Sequence, residues 1–147
     1  MPLSSIRFSS FLLDFFLRPL AGEIRLRLQF SVEINDTMLG FYRSRYMKEP
    51  GEERYIAVTQ FEENHARKAF PCFDRHDFKA TFDVAFVLDE HLTGISNMPV
   101  AEENPWPQSA KKKLVRFART PRMSTYLLFF GVGDFEIREK RNGILFR

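Results

Sequence analysis

Apolar and polar residues alternate from Glu23 to Glu33, with Ile24, Leu26, Leu28, Phe30 and Val32 on one side and Arg25, Arg27, Gln29 and Ser31 on the other. A period of two is the signature of a β-strand with one face in a core and the other in water. The same pattern returns from Lys79 to Leu88, where Ala80, Phe82, Val84, Phe86 and Leu88 share a face. In a third run, Arg54 to Glu62, Tyr55, Ala57, Thr59 and Phe61 take one face. Ile56 and Val58 lie on the other, which ends in Gln60 and Glu62. Leu114 to Phe117 and Tyr126 to Phe130 are expected to supply later strands.

Turn chemistry separates these runs. Asn35-Asp36 can bond nearby backbone groups, after which Gly40-Phe41-Tyr42 opens a further extended stretch. Glu49-Pro50-Gly51-Glu52-Glu53 reads as a surface loop. Asn64 to Ala69 is expected to form a turn or two of helix before Pro71 stops it, and Ala101 to Ser109, with Pro105 and Pro107 around Trp106, to form a loop. With no interleaved helical pattern, the expected fold is all-β: an antiparallel sandwich or curved sheet with at most one or two short helical turns.

Composition narrows the function. A chain of 147 residues with 44% hydrophobic content suits one domain with one core, and the seventeen Phe residues argue for a packed interior. The net charge of +3 gives no domain-wide positive field, so nucleic acid is not an expected partner. The basic run Lys111 to Lys113, with Arg116 and Arg119 beyond it, reads as a solvated strand edge. Cys72 is the only cysteine, which excludes an internal disulfide and makes the cytoplasm the expected setting. Phe8 to Leu17 is apolar, but Asp14 interrupts it and Arg18-Pro19 follows where a cleavage site would need small residues. It is also too short to span a bilayer, so no membrane association is expected.

The chain holds no pair of histidines one helical turn apart with a carboxylate between them, as a zinc peptidase requires; His65, His76 and His91 read as surface or turn residues. It has no glycine-rich phosphate loop and no Gly-x-Ser-x-Gly turn, and Cys72 between Pro71 and Phe73 reads as an inert thiol. No catalytic residue and no metal ligand is therefore assigned. Gln60 and Glu62 remain open to two readings. The strand is either leaving the core for solvent, or it forms a cleft rim where an amide and a carboxylate converge on a ligand.

Six short words occur in series: Gly40-Phe41-Tyr42-Arg43-Ser44, Thr59-Gln60-Phe61-Glu62, Ala66 to Asp74 (ARKAFPCFD), Phe78-Lys79-Ala80, Ser96-Asn97-Met98-Pro99, and Thr120 to Leu127 (TPRMSTYL). In order and spacing they resemble the amino-terminal domain of the zinc aminopeptidases related to aminopeptidase N and puromycin-sensitive aminopeptidase, the gluzincins. The resemblance covers residues 22–147, and residues 1–21 match little. It implies a saddle-shaped, antiparallel β-sandwich that packs against a zinc-bearing catalytic domain and walls its cleft. It implies that Glu62 helps hold the α-ammonium of a peptide substrate, and that Gln60 lines the pocket for the first side chain. The implied partners are a peptide N-terminus and that catalytic domain. Zinc is expected there, with no cofactor in this chain.

Departures from the family pattern accompany the match. Asp74-Arg75-His76 stands where Asp-Glu-Pro is usual, the earliest strands are expected to be missing, and Ile144 to Arg147 resembles the strand before the catalytic domain. The chain is thus expected to be inactive alone. An alternative of a different class is a freestanding, non-catalytic β-sandwich module for peptides or proteins. Phe70, Phe73, Phe78, Phe82, Tyr126 and Leu127 are expected in the core, and Arg67 with Asp74 to brace a turn.

Overall fold

A computed structural model describes residues 11–15 and 24–137. Glu23, most of Phe8 to Leu17 outside Phe11–Phe15, and the expected strand Ile144 to Arg147 lie outside the described residues. Among the described residues the architecture is all-β, with every strand pair antiparallel and short 3₁₀ turns at Ala66–Lys68 and Thr125–Leu127 in place of helices. Among the described residues no helix is long and apolar enough to cross a membrane.

β1 (Phe11–Phe15) pairs with β2 (Ile24–Leu28) as a ribbon. β3 (Gly40–Glu49) and β4 (Glu52–Gln60) form a hairpin closed at Pro50-Gly51, where Gly51 takes φ +87°. β4 also pairs with β11 (Phe130–Gly133), and β11 with β7 (Thr93–Ser96), giving a four-stranded sheet in the order β3-β4-β11-β7. A second sheet runs β6-β9-β8, from Ala85–Asp89, Lys112–Phe117 and Val100–Pro105. β5 (Lys79–Ala80) and β10 (Met123–Ser124) make a short ribbon beside them.

The inner faces of the two sheets share one apolar cluster: Phe41, Ala57, Phe130 and Val132 from the first, Phe86, Leu88, Val115 and Phe117 from the second. Phe130 is its hub. The rings of Phe41, Phe61 and Phe86 stand edge-on to it at centroid distances of 6.4, 6.0 and 5.6 Å, and Phe70 lies tilted at 6.3 Å. Edge-to-face pairs of this kind add about 0.5–1.5 kcal/mol each beyond area burial.

Several expectations need correction. The run Lys79 to Leu88 is two strands, because Phe82 N–H is taken by Thr120 Oγ1; Val84, Phe86 and Leu88 are buried in the core, Phe82 packs half-buried against it, and Ala80 is exposed. Of Tyr126 to Phe130, Tyr126 and Leu127 lie in the second 3₁₀ turn, Leu128 and Phe129 are irregular, and the strand begins only at Phe130. Val100–Pro105 is a strand, β8, rather than a loop; all six residues are exposed, so no apolar period marks it. The basic run Lys111 to Lys113 enters the central strand of its sheet, where Lys112 pairs with Asp89 and Lys113 with Glu103 across both neighbours. Phe73, Phe78 and Leu127 are 49, 47 and 49% exposed and lie outside the core. They sit in loops or at a 3₁₀ turn, where hydrophobicity without periodicity says nothing about direction. Phe78 instead packs on Phe73 and under the Arg75 guanidinium.

Candidate functional site

The alternation of β4 persists one turn beyond its end. Ala57, Thr59 and Phe61 are buried, Ile56 and Val58 half-buried, and Gln60 and Glu62 exposed on the opposite side. Phe61, 2% exposed, is wedged against Phe70 and Phe130, so the residue between Gln60 and Glu62 is an anchor in the core. The register Gly40↔Gln60 fixes the strand end from one side. On the other, Phe130 N–H donates to Thr59 Oγ1 at 2.9 Å. Gly40 must be glycine here: its φ is +76°, and a Cβ would meet the Lys68 Cβ at 2.8 Å, where the 3₁₀ turn crosses the start of β3.

After Gln60 the chain turns sharply. The Glu62-Glu63 peptide is cis, and His65 N–H donates to Phe61 O at 2.8 Å. The following 3₁₀ turn buries Ala66, Ala69 and Phe70. Arg67 and Asp74 brace this segment as the sequence suggests. Asp74 is buried at φ +50°; its Oδ2 accepts from Arg67 N–H (3.0 Å) and Nε (3.1 Å), and its Oδ1 from Thr125 Oγ1 (3.2 Å). Burial, reinforced by the Asp74 carboxylate, pushes the half-buried Cys72 thiol up to about 11, which fits an inert cysteine rather than a nucleophile.

The structure thus brings Gln60 and Glu62 to the same exposed side of one strand end. Among the described residues no ion pair or hydrogen bond engages the Glu62 carboxylate. By contrast Asp36, Asp74, Asp77, Asp83, Asp89 and Asp134 each hold an Arg or Lys. Sequence reasoning missed two residues that touch this turn. Asn64, with its amide nitrogen facing them, donates to Glu63 O (3.0 Å) and Asp74 O (3.1 Å). His76 Nε2 lies 3.1 Å from Glu63 O. No local signal marks either, since both contacts depend on how the 74–76 loop folds back.

His65 Nδ1 is buried without a partner, but among the described residues no group of three His, Cys, Asp or Glu side chains is placed to hold a metal.

Residues 11–127 match the Peptidase M1 N-terminal domain. The chain is 49% identical over 114 residues to puromycin-sensitive aminopeptidase of Caenorhabditis elegans, covering 78% of this chain and 12% of that protein. It is 45% identical over 124 residues to the alanine/arginine aminopeptidase of Saccharomyces cerevisiae, covering 84% and 14%. It is 42% identical over 122 residues to human aminopeptidase N, covering 81% and 12%. The chain therefore spans about an eighth of the length of these curated relatives. With four-fifths of its residues matched end to end and an all-β fold to go with them, this chain belongs to the Peptidase M1 N-terminal domain family.

Proposed function

We propose that this chain is the substrate-recognition part of a zinc metallo-aminopeptidase that removes amino acids from peptide N-termini, with the metal supplied by residues outside the described chain. Glu62 receives the α-ammonium of the peptide and Gln60 lines the pocket for its first side chain. The observation that carries this reading is the exposed carboxylate of Glu62, which has no ion-pair or hydrogen-bond partner among the described residues and follows the buried ring of Phe61. An exopeptidase must reject internal segments of a chain. A carboxylate that pairs with a terminal ammonium does so, because a neutral amide in the same place leaves the charge without its partner. The cytoplasmic setting expected from the sequence belongs to the same proposal.

The test exchanges residues 11–127 for the matching segment of the Caenorhabditis elegans relative and follows hydrolysis of an aminoacyl-coumarin. Charge-assisted hydrogen bonds contribute about 1.5–3 kcal/mol each, so Glu62→Ala in that chimera is expected to lower kcat/KM by about one to two orders of magnitude. Unchanged turnover would refute the role. The same 147 residues assayed alone are expected to show no hydrolysis, and appreciable activity would overturn the division of labour.

A further inference from the structure

The turn that carries Glu62 is held from outside by the loop at 74–76, and that loop is itself tied to the core. Asp74 is anchored by Arg67 and Thr125. The carbonyl of His76 accepts a 2.6 Å hydrogen bond from the buried Ser124 hydroxyl, and its imidazole rests on the Tyr126 ring at a centroid distance of 4.8 Å. From this fixed base His76 Nε2 reaches Glu63 O at 3.1 Å, and the Asn64 amide bridges Glu63 O and Asp74 O. The carbonyl next to Glu62 thus takes two side-chain donors.

We propose that His76 is a positioning residue: its Nε2–H, with the Asn64 amide, clamps the Glu63 carbonyl and so sets where the Glu62 carboxylate stands. The proposal rests on the reading of Glu62 as the contact for a peptide ammonium. A carbonyl oxygen can only accept, so the neutral imidazole must carry its proton on Nε2. Imidazolium donates from the same atom, and the clamp therefore survives protonation of the ring. Without it, the turn would be free to move about the Phe61 anchor, and the free carboxylate, having no partner of its own, would lose its aim. Positional error of this kind weakens an ion pair without abolishing it.

The full chain, labelled with ¹⁵N, supplies the test. Long-range ¹H–¹⁵N spectra are expected to show the Nε2–H tautomer at His76, and a predominant Nδ1–H form would overturn the proposal. Titration with alanyl-alanine amide, read at the Gln60 side-chain and Glu62 backbone amides, is expected to need about five- to tenfold more peptide in His76→Ala. That is the loss of about one modest hydrogen bond. His76→Gln, which places an amide nitrogen near the same point, is expected to recover to within about threefold of the parent. Asn64→Ala removes the second donor to the same carbonyl, and its expected shift in the same direction serves if His76→Ala does not fold. The N-acetylated peptide, lacking the ammonium, should respond to none of these changes. Equal affinity of parent and both clamp variants for the free-amine peptide sinks the positioning role alone. If the parent does not distinguish free from acetylated peptide, and Glu62→Ala is also without effect, the reading of Glu62 fails and the positioning role falls with it.

Discussion

Asp74→Ala is the substitution whose cost follows most directly from the structure. The Asp74 side chain is 1% exposed and gathers three donors: Arg67 N–H, Arg67 Nε and the Thr125 hydroxyl. Alanine leaves the backbone N–H and the hydroxyl without acceptors, at about 1–3 kcal/mol each. The guanidinium adds little, because Arg67 is 55% exposed and water replaces its partner. Position 74 also sits at φ +50°, which costs alanine about 1 kcal/mol more than it costs Asp or Asn. Against these stands relief from burying a carboxylate, so the net loss is about 3 kcal/mol. Asp74→Asn keeps one acceptor and tolerates the backbone angle, and about half that loss is expected. With a urea m-value of about 1–3 kcal/mol/M, Asp74→Ala should lower the unfolding midpoint by about 1–3 M in far-UV circular dichroism. A midpoint within about 0.5 M of the parent, or equal damage from Asn and Ala, would show that this network does not hold the loop.

Other consequences are as concrete. Phe61→Ala removes the anchor between Gln60 and Glu62 and should cost about 3–5 kcal/mol in thermal or urea unfolding, with a loss under about 1 kcal/mol contradicting its place in the core. Gly133→Ala puts a Cβ 2.6 Å from Ile56 Cγ2 and 3.2 Å from its Cβ, a crowding worth about 1–3 kcal/mol. Gly51→Ala meets open space and suffers only its positive φ, so the reverse order of damage would count against the β4–β11 pairing. The Cys72 thiol, held up to about 11 by burial, keeps its proton in the folded state over a range where an unfolded cysteine, with an ordinary value of about 8.5, has lost it. Its contribution to stability is therefore complete below about 8.5 and declines as pH rises toward 11. Iodoacetamide should react with native protein at pH 8 far more slowly than with urea-unfolded protein, and equal rates would place the thiol in water.

Strands with one buried face were legible because burial writes itself as a period of two. β4 and β6 show in that way, β9 shows as the short apolar run Leu114 to Phe117, and the start of β3 is marked by the turn chemistry at Asn35-Asp36, as the hairpin is by Pro50-Gly51. What escaped has a common cause. β8 exposes all its residues, so its strand nature resides in backbone pairing to β9, which leaves no trace in hydropathy. β7 is four residues long and contains Gly94, whose absent side chain makes room for Phe86 and Leu88. Phe73 and Phe78, expected in the core, lie in a loop that carries them to the surface. At the site, Gln60 and Glu62 could be put on one face from alternation, whereas the contacts of Asn64 and His76 needed a loop whose path is set by a buried aspartate in a left-handed conformation.

The same alternation explains why the exposed pair is mechanically coupled to the core. Sliding β4 by one residue against β3 would turn Phe61 outward and bring Gln60 or Glu62 inward. Exposing the ring forfeits about 1.5–3 kcal/mol of burial, and an amide buried without a partner costs about 1–3 kcal/mol more. The opposite edge of β4 resists the slip as well, since Gly131↔Val58 and the Phe130 to Thr59 hydrogen bond lock it to β11. Gln60 and Glu62 are held on the outward side by the penalty for any other register. The hydrogen bonds at the neighbouring Glu63 carbonyl then have only the residual freedom of one turn to remove.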